Sequence, residues 1–132
     1  MNKYVYPAIF KKEKKGYSIF FPDLEGCQTQ GDTIDECFYM AEDALSLYLF
    51  HLEEEKRNIP KASNPMDIKT EKDEFVTLIK CDIYEYRKKN DNKAVKKTLT
   101  IPNWLNTLSE NANINFSNVL QNALIEKLNL KK

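Results

Sequence analysis

The pattern that most constrains the fold of this chain is a long stretch of helical periodicity that begins at Thr33. Thr33 and Glu36 have the T-x-x-E spacing of a capping box, in which each side chain accepts a hydrogen bond from a backbone N–H at the helix start. Apolar residues then recur at helical spacing: Ile34, Cys37, Phe38, Ala41, Leu45, Tyr48, Leu49 and Leu52. The pattern predicts a long helix with one apolar face.

Short strands are predicted on both sides of this helix. They span residues 4–10, 17–21, 27–30 and 75–83, where aromatic and β-branched residues are frequent or apolar and polar residues alternate. Pro7 favours an edge position or a bulge for the first strand, because proline has no backbone donor. Residues 58–73 contain two prolines and are predicted to form a loop. The order β-β-β-α-β predicts an α+β domain over residues 1–84.

A second unit is predicted over residues 94–132, after a polar linker at residues 85–93. Val95 to Ile101 alternates as a strand, a helix follows over roughly residues 103–112, and another helix begins near Asn115, a favourable N-cap residue. A unit of about 40 residues seldom folds alone, and its single strand has no partner within the chain. Dimerisation through this unit is therefore expected.

The formal net charge is zero, but acidic and basic residues are distributed unequally between the two units. Residues 1–92 contain 14 Lys and Arg against 18 Asp and Glu, whereas residues 93–132 contain 6 against 2. An acidic first unit and a basic second unit suggest two partners of opposite charge. No apolar segment approaches the roughly 20 residues that span a bilayer, and the N-terminus lacks the features of a signal peptide. We therefore expect no membrane association and a cytoplasmic location.

The segment FFPDLEGCQTQGDTIDE at residues 20–36 combines carboxylates with a thiol and raises the question of catalysis. No histidine lies in a predictable position to activate Cys27, and the only histidine, His51, is expected to be a partly exposed helix residue. The predicted strands at residues 4–10 and 17–21 carry no carboxylate that could hold the metal ions of a nuclease. We predict no catalytic residue, no metal site and no cofactor.

Most residues of this segment receive structural roles instead. Gly26 and Gly31 are expected to supply backbone angles that other residues resist, and Thr33 to start the helix. Three cysteines without a CxxC pair are expected to be buried or half-buried free thiols: Cys27, Cys37 and Cys81. Exposed positions suited to contact with a partner protein then remain at three residues: Asp23, Leu24 and Glu25.

A strand followed by two helices, as predicted for residues 94–130, resembles the ribbon-helix-helix family of DNA-binding domains. In that family two chains pair their strands into a ribbon that enters the major groove. Leu99 and Ile101 are expected to face the helices, so the outward residues that could contact bases are Lys96, Thr98 and Thr100. The start of the second helix, at Asn115, Phe116 and Ser117, could hold a phosphate. The alternative is a dimerisation module that does not bind nucleic acid.

The first unit resembles the HicB family of antitoxins over about residues 4–83. The resemblance lies in YSIFFPDLEGCQTQGDTIDE at residues 17–36, in the helix with Ala41, Ala44 and Leu45, and in NIP at residues 58–60. It implies a partial RNase H-like fold and an antitoxin that binds and neutralises a HicA-type toxin, an RNase that cleaves mRNA. A ribbon-helix-helix unit would then bind operator DNA and repress the operon, as a homodimer or a dimer of dimers.

Two rival interpretations stay open from the sequence. One is a ribbon-helix-helix transcriptional regulator whose first unit is a non-catalytic sensing or oligomerisation domain. The other is an active nuclease of RNase H type, in which the carboxylates near Asp23 would bind metal.

Overall fold

A four-stranded antiparallel sheet forms the centre of the first unit. The computed structural model describes residues 3–130, and the chain divides into two compact units between Lys93 and Ala94. The elements of the first unit are β1 (Lys3–Lys12), β2 (Tyr17–Phe20), β3 (Gln28–Gly31), α1 (Ile34–Glu54), a 3₁₀ turn (Pro65–Asp67), β4 (Glu74–Asp82) and α2 (Ile83–Asn90). The predicted order β-β-β-α-β is confirmed.

Helix α1 starts where the capping pattern predicted. The Thr33 side chain accepts the backbone N–H of Glu36 at 3.2 Å, which satisfies one of the unpaired donors at the helix start. The buried positions of α1 then recur along one face: Cys37, Ala41, Leu45, Ser46, Leu49 and Leu52.

The helix packs on one face of the sheet. Alternate residues of β1 point towards it, namely Tyr6, Ala8 and Phe10, and all three are buried. Ile19 of β2 and Ile79 of β4 lie on the same face, because the strand register places them opposite Phe10 and Tyr6. These side chains and the buried face of α1 form the hydrophobic core.

Gly31 has a different role from the one predicted. Its backbone does not require a positive φ; a Cβ at this position would instead lie 2.9 Å from the Cys37 sulfur and 3.0 Å from the Cys37 nitrogen. Glycine is therefore needed because β3 runs close against the first turn of α1. Gly26, with a φ of 80°, does adopt the left-handed conformation that was predicted.

Pro7 lies in an internal strand rather than in an edge strand, and no bulge is needed to accommodate it. The backbone N–H of Lys12 donates to Asp73 at 2.8 Å, and in an antiparallel pair hydrogen-bonded and non-hydrogen-bonded positions alternate. The Pro7–Leu78 pair is therefore a non-hydrogen-bonded one, so no ladder donor is lost. β2 pairs with β1 only from Ile9 onwards, so the other side of Pro7 has no strand to bond to.

The linker predicted at residues 85–93 is wrong over most of its length, because residues 83–90 form helix α2. The Asp82 side chain caps this helix by accepting the backbone N–H of Glu85 at 3.2 Å. Arg87 then joins α2 to the end of α1: it donates to Glu53 at 3.1 Å and to Glu54. Its guanidinium also lies 4.7 Å from the centre of the Phe50 ring. These contacts with distant residues could not be predicted from the polar sequence of the segment itself.

The second unit contains helix α3 (Asn103–Asn111) and helix α4 (Phe116–Lys127). Both helices were predicted, and α4 begins after the expected cap, since the Asn115 side chain accepts the backbone N–H of Asn118 at 3.0 Å. The strand predicted at residues 95–101 is not formed in the single chain. A strand requires a neighbouring strand for its backbone hydrogen bonds, and residues 94–130 contain no other extended segment that pairs with it.

Among residues 3–130, no helix has both the length and the apolar composition that crossing a membrane requires.

Candidate functional site

The turn between β2 and β3 was the predicted site of partner contact, and the structure assigns part of it to internal contacts. The Asp23 carboxylate accepts the backbone N–H of Ser63 at 2.9 Å and also the Ser63 hydroxyl. Asp23 is therefore half-buried and holds the loop that returns from α1 to β4. Its role as an exposed contact residue is not supported by this geometry.

Leu24 is a clear correction, because its side chain is only 1% exposed and belongs to the hydrophobic core. Glu25 is exposed as predicted, and its backbone carbonyl accepts the Tyr48 hydroxyl at 2.8 Å. The turn is thus attached to α1 through Tyr48 and to the return loop through Asp23. Of the three predicted contact residues, Glu25 is exposed, Asp23 is half-buried and Leu24 is buried.

The three cysteines are buried free thiols, as predicted. Burial raises the pKa of Cys27 to about 11 and that of Cys81 to about 11, because a thiolate is poorly solvated inside the protein. The pKa of Cys37 is raised for the same reason. The neutral thiol therefore dominates at physiological pH, which is the opposite of what a cysteine nucleophile requires.

The carboxylates near the opening of α1 are spread over separate contacts. Asp32 forms an exposed ion pair with Lys15 at 3.5 Å, and Asp35 and Glu36 lie in the first turn of α1, where acidic side chains favour the helix dipole. Within residues 3–130, no group of three or more metal-ligating side chains comes together.

The edge formed by β4, one of the two edges of the sheet, is a feature that sequence reasoning missed. β4 is the last strand in the order β3-β2-β1-β4, so it has a neighbour on one side only. Lys12 and Asp73 form a hydrogen-bonded pair, and hydrogen-bonded pairs recur at every second position of an antiparallel ladder. The backbone N–H and C=O groups of Thr77 and Ile79 therefore point towards β1. The backbone N–H and C=O groups of Val76, Leu78 and Lys80 consequently point away from the sheet.

Apolar side chains flank this edge on the sheet face that points away from α1, since Leu78 alternates with the buried Ile79 along β4. Leu78 is 51% exposed, and Val5, its diagonal neighbour on β1, is 50% exposed. They line a groove of about 530 Å³ together with Phe38, Tyr39, Glu42, Ile79 and Lys80. An exposed apolar edge of this kind is a template for binding another chain.

Two half-exposed aromatic rings, Phe38 of the groove and Phe75 of β4, are held in position by the core. The centre of the buried Phe10 ring lies 5.3 Å from that of Phe38 on α1 and 5.1 Å from that of Phe75 on β4. Phe38 and Phe75 therefore present rigid apolar surface to solvent at low cost in side-chain entropy.

A second groove of about 630 Å³ continues from Tyr39 and Glu42 towards α2. Its charged lining comprises four carboxylates and two lysines: Glu42, Asp43, Asp82, Glu85, Lys88 and Lys89. Lys88 lies 3.9 Å from Glu85. The two grooves share Tyr39 and Glu42; the first has mostly apolar lining residues and the second mostly charged ones.

In the second unit the residues predicted to contact DNA are all exposed. Lys96, Thr98 and Thr100 lie in the segment before α3 that forms no strand in the single chain. Leu99 and Ile101 were expected to face the helices, but they are 63% and 46% exposed. Within one chain, residues 95–101 therefore have no inner face that is buried and no outer face that is distinct from it.

The apolar residues of α3 and α4 are exposed as well. No residue between 94 and 130 is buried, and Trp104 is 65% exposed. At the start of α4, the Asn115 side chain is already used as a cap, whereas the proposed phosphate contact would use the backbone N–H groups of Phe116 and Ser117. Exposed apolar surface of this extent is typical of an interaction site.

Comparison with known proteins identifies this two-unit α+β architecture as that of a bacterial antitoxin. The family model of the HicB-like antitoxins of bacterial toxin–antitoxin systems matches residues 6–124, which include parts of both units. The chain therefore belongs to the HicB-like antitoxin family.

Individual relatives agree with this assignment. The chain is 30% identical over 102 residues to an uncharacterised 14.9 kDa protein from the rep-hol intergenic region of Haemophilus phage HP1, covering 74% of this chain and 73% of that protein. It is 38% identical over 58 residues to antitoxin HicB 2 of Photorhabdus laumondii, covering 44% and 42% of the two chains. A chain in the solved toxin–antitoxin complex from Streptococcus pneumoniae is 27% identical, with a TM-score of 0.62 and coverage of 95% and 99%.

Proposed function

We propose that this protein is the antitoxin of a two-protein system and that its first unit binds and neutralises a HicA-type toxin that cleaves mRNA. The observation that carries the proposal is the family match over residues 6–124. The similar chain from Streptococcus pneumoniae, which is covered almost completely, comes from a toxin–antitoxin complex. Such an antitoxin acts by covering its partner in the cytoplasm and needs no cofactor.

The charge of the first unit supports this role. Residues 1–92 carry four more acidic than basic side chains, and complementary charge speeds the encounter with a basic partner. We interpret this unit as a partial RNase H-like fold that is not an enzyme. In support, Asp23 is engaged by Ser63, and Asp32 is paired with Lys15.

The second unit, in this proposal, is a ribbon-helix-helix domain that dimerises and binds operator DNA, so that the antitoxin represses its own operon. The exposed apolar residues of α3 and α4 support dimerisation, because a second copy would bury them. Strand pairing between two copies would also complete the backbone hydrogen bonds of residues 95–101. Lys96, Thr98 and Thr100 would then face the major groove.

Co-expression with the product of the neighbouring gene tests the first part of the proposal. We expect the two proteins to co-purify and growth to be restored when the neighbouring gene is induced. An antitoxin that neither binds this product nor rescues growth would favour a ribbon-helix-helix regulator with a sensing domain. Cleavage of RNA by the purified chain with Mg²⁺ or Mn²⁺, abolished by Asp23→Ala, would favour the nuclease.

The second part is tested by the double substitution Lys96→Ala and Thr98→Ala. We expect it to abolish the operator gel shift and leave toxin neutralisation intact, because the two activities lie in different units. Lys127→Ala, which removes a lysine from the last turn of α4, is the matched control for loss of charge. Repression that survives the double substitution would contradict the assignment of the ribbon.

A further inference from the structure

We propose that the toxin docks on the free edge of β4 by adding a β-strand to the sheet, with its side chains packing on the apolar groove beside this edge. This inference rests on the proposed antitoxin function and specifies where and how the partner binds. The occupant is an exposed edge strand with apolar residues at one end and basic residues at the other. Strand addition of this kind draws affinity from backbone hydrogen bonds and specificity from side-chain pockets.

The backbone of β4 is suited to such pairing. The strand spans the nine residues Glu74–Asp82, which is long for an exposed edge. Proteins usually protect free edges with proline, with a bulge or with inward-pointing charges. β4 contains no proline, and Lys80 is the only basic side chain along it. The outward N–H and C=O groups of Val76 and Leu78 are therefore open to a partner strand.

The side chains beside the edge define what the partner strand must carry. Leu78 and Val5 offer exposed apolar surface in the first groove that would bury an aliphatic or aromatic residue. Glu42 and Asp43 of α1 line the second groove, which shares Tyr39 and Glu42 with the first. A basic residue on the partner would bind there, in keeping with the acidic balance of the first unit.

A second copy of the chain is a less favourable occupant of this edge. In an antiparallel β4–β4 pairing centred on Leu78, Glu74 of one copy would lie opposite Asp82 of the other, and this would occur twice. Directly opposed like charges destabilise a sheet. A partner of opposite charge avoids this repulsion.

The backbone part of the proposal is tested with two substitutions at one position. Lys80→Pro removes an outward N–H without touching the hydrogen bonds to β1, whereas Lys80→Ala removes the same charge and keeps the N–H. With the tagged product of the neighbouring toxin gene as probe, we expect Lys80→Pro to weaken binding at least tenfold and Lys80→Ala less than threefold. Circular dichroism and the thermal midpoint establish whether each variant is folded.

A side-chain pair keeps the test decisive if Lys80→Pro does not fold. Leu78→Glu introduces a charge into the exposed apolar surface of the first groove, and we expect at least tenfold weaker binding. Met66→Glu is the matched control, since Met66 is an exposed apolar residue on the 3₁₀ turn and does not line the groove. Both variants should remain folded, because both positions are exposed.

Amide hydrogen exchange in the full-length complex provides a direct readout. Strand addition predicts at least tenfold slower exchange at Val76, Leu78 and Lys80 when the toxin is bound, with little change at Thr77 and Ile79, which already face β1. The wild-type chain could bind the toxin without slower exchange at these three amides and without weaker binding by the variants. In that case the docking edge is wrong and the antitoxin function stands. If the wild-type chain does not bind the toxin, the proposed function itself fails. Protection of the same amides that rises with antitoxin concentration alone would show a second copy on the edge and overturn the proposal.

Discussion

The Asp23 carboxylate accepts the backbone N–H of Ser63 at 2.9 Å, across 40 residues of sequence, and accepts the Ser63 hydroxyl as well. This contact ties the β2–β3 turn to the loop that leads from α1 to β4. A carboxylate that looks catalytic in the sequence thus has a structural function, since hydrogen bonds to a charged acceptor are among the stronger ones in proteins.

We expect Asp23→Ala to lower the free energy of unfolding by about 1 to 2 kcal/mol, because the Ser63 N–H loses its partner. Asp23→Asn retains one acceptor oxygen and should cost less. Urea unfolding measures both, with Glu25→Ala as a control at an exposed neighbour whose expected change is within about 0.5 kcal/mol. Equal stability of Asp23→Ala and wild type would contradict the structural role of this contact.

Arg87→Met should loosen α2 from the end of α1. Arg87 bonds Glu53 and Glu54 and lies over Phe50, and the pKa of its guanidinium is raised chiefly by the hydrogen bond to Glu54. We expect a loss of about 1 to 3 kcal/mol in the free energy of unfolding, the range for hydrogen bonds to charged groups.

The matched control is Arg57→Met, because Arg57 makes only an exposed pair with Glu55 at 3.4 Å and such pairs contribute little. Amide exchange should also accelerate at residues 83–90 in Arg87→Met and not in the control. If the two variants lose the same stability, the contact between α1 and α2 is not held by Arg87.

The buried thiols predict a pH dependence of stability above neutrality. Burial raises the pKa of Cys27 and Cys81 from an ordinary value of 9.0 to about 11. The folded chain therefore holds these protons to higher pH than the unfolded chain does. Their contribution is fully present below about pH 9 and is lost as pH rises towards 11.

Urea unfolding at pH 8 and at pH 10.5 measures this effect. We expect the free energy of unfolding to fall between these pH values, and to fall less in the variant with Cys27→Ala and Cys81→Ala. The wild type and the variant must be compared because burial also raises the pKa of Tyr4 and Tyr6, which titrate in the same direction. An equal fall in the free energy of unfolding in both proteins would show that the thiols are not desolvated. At pH 8 iodoacetamide should label the thiols slowly in the folded chain and quickly in urea.

The single tryptophan, Trp104, reports on assembly of the second unit. It is exposed in the isolated chain, so its emission should shift to shorter wavelength as the protein concentration rises and a dimer forms. Val119→Glu, which places a charge on the exposed apolar stripe of α4, should prevent the shift and leave a monomer in analytical ultracentrifugation. Glu110→Ala, at a polar position of α3, is the control. A monomer at all concentrations for the wild type would contradict dimerisation.

Local patterns in the sequence were sufficient for the elements that depend on nearby residues. The T-x-x-E motif located the start of α1, Asn115 the start of α4, and alternation most of the four strands. These features depend on contacts within a few residues, which side-chain chemistry and periodicity describe directly. The order of these motifs also carried the resemblance to HicB antitoxins, which the family match confirmed.

The tertiary structure decided the features that depend on contacts between distant residues. Arg87 makes α2 a packed helix instead of a linker, since its partners lie more than 30 residues away. Leu24 is buried although it sits in a polar turn. The strand order places β4 at an edge, and the register places Leu78 on the sheet face away from α1, so Leu78 is half-exposed. Periodicity alone cannot reveal this because it does not specify which strands are neighbours. Sequence therefore determined where helices and strands begin, and packing decided which of their faces remain open to a partner.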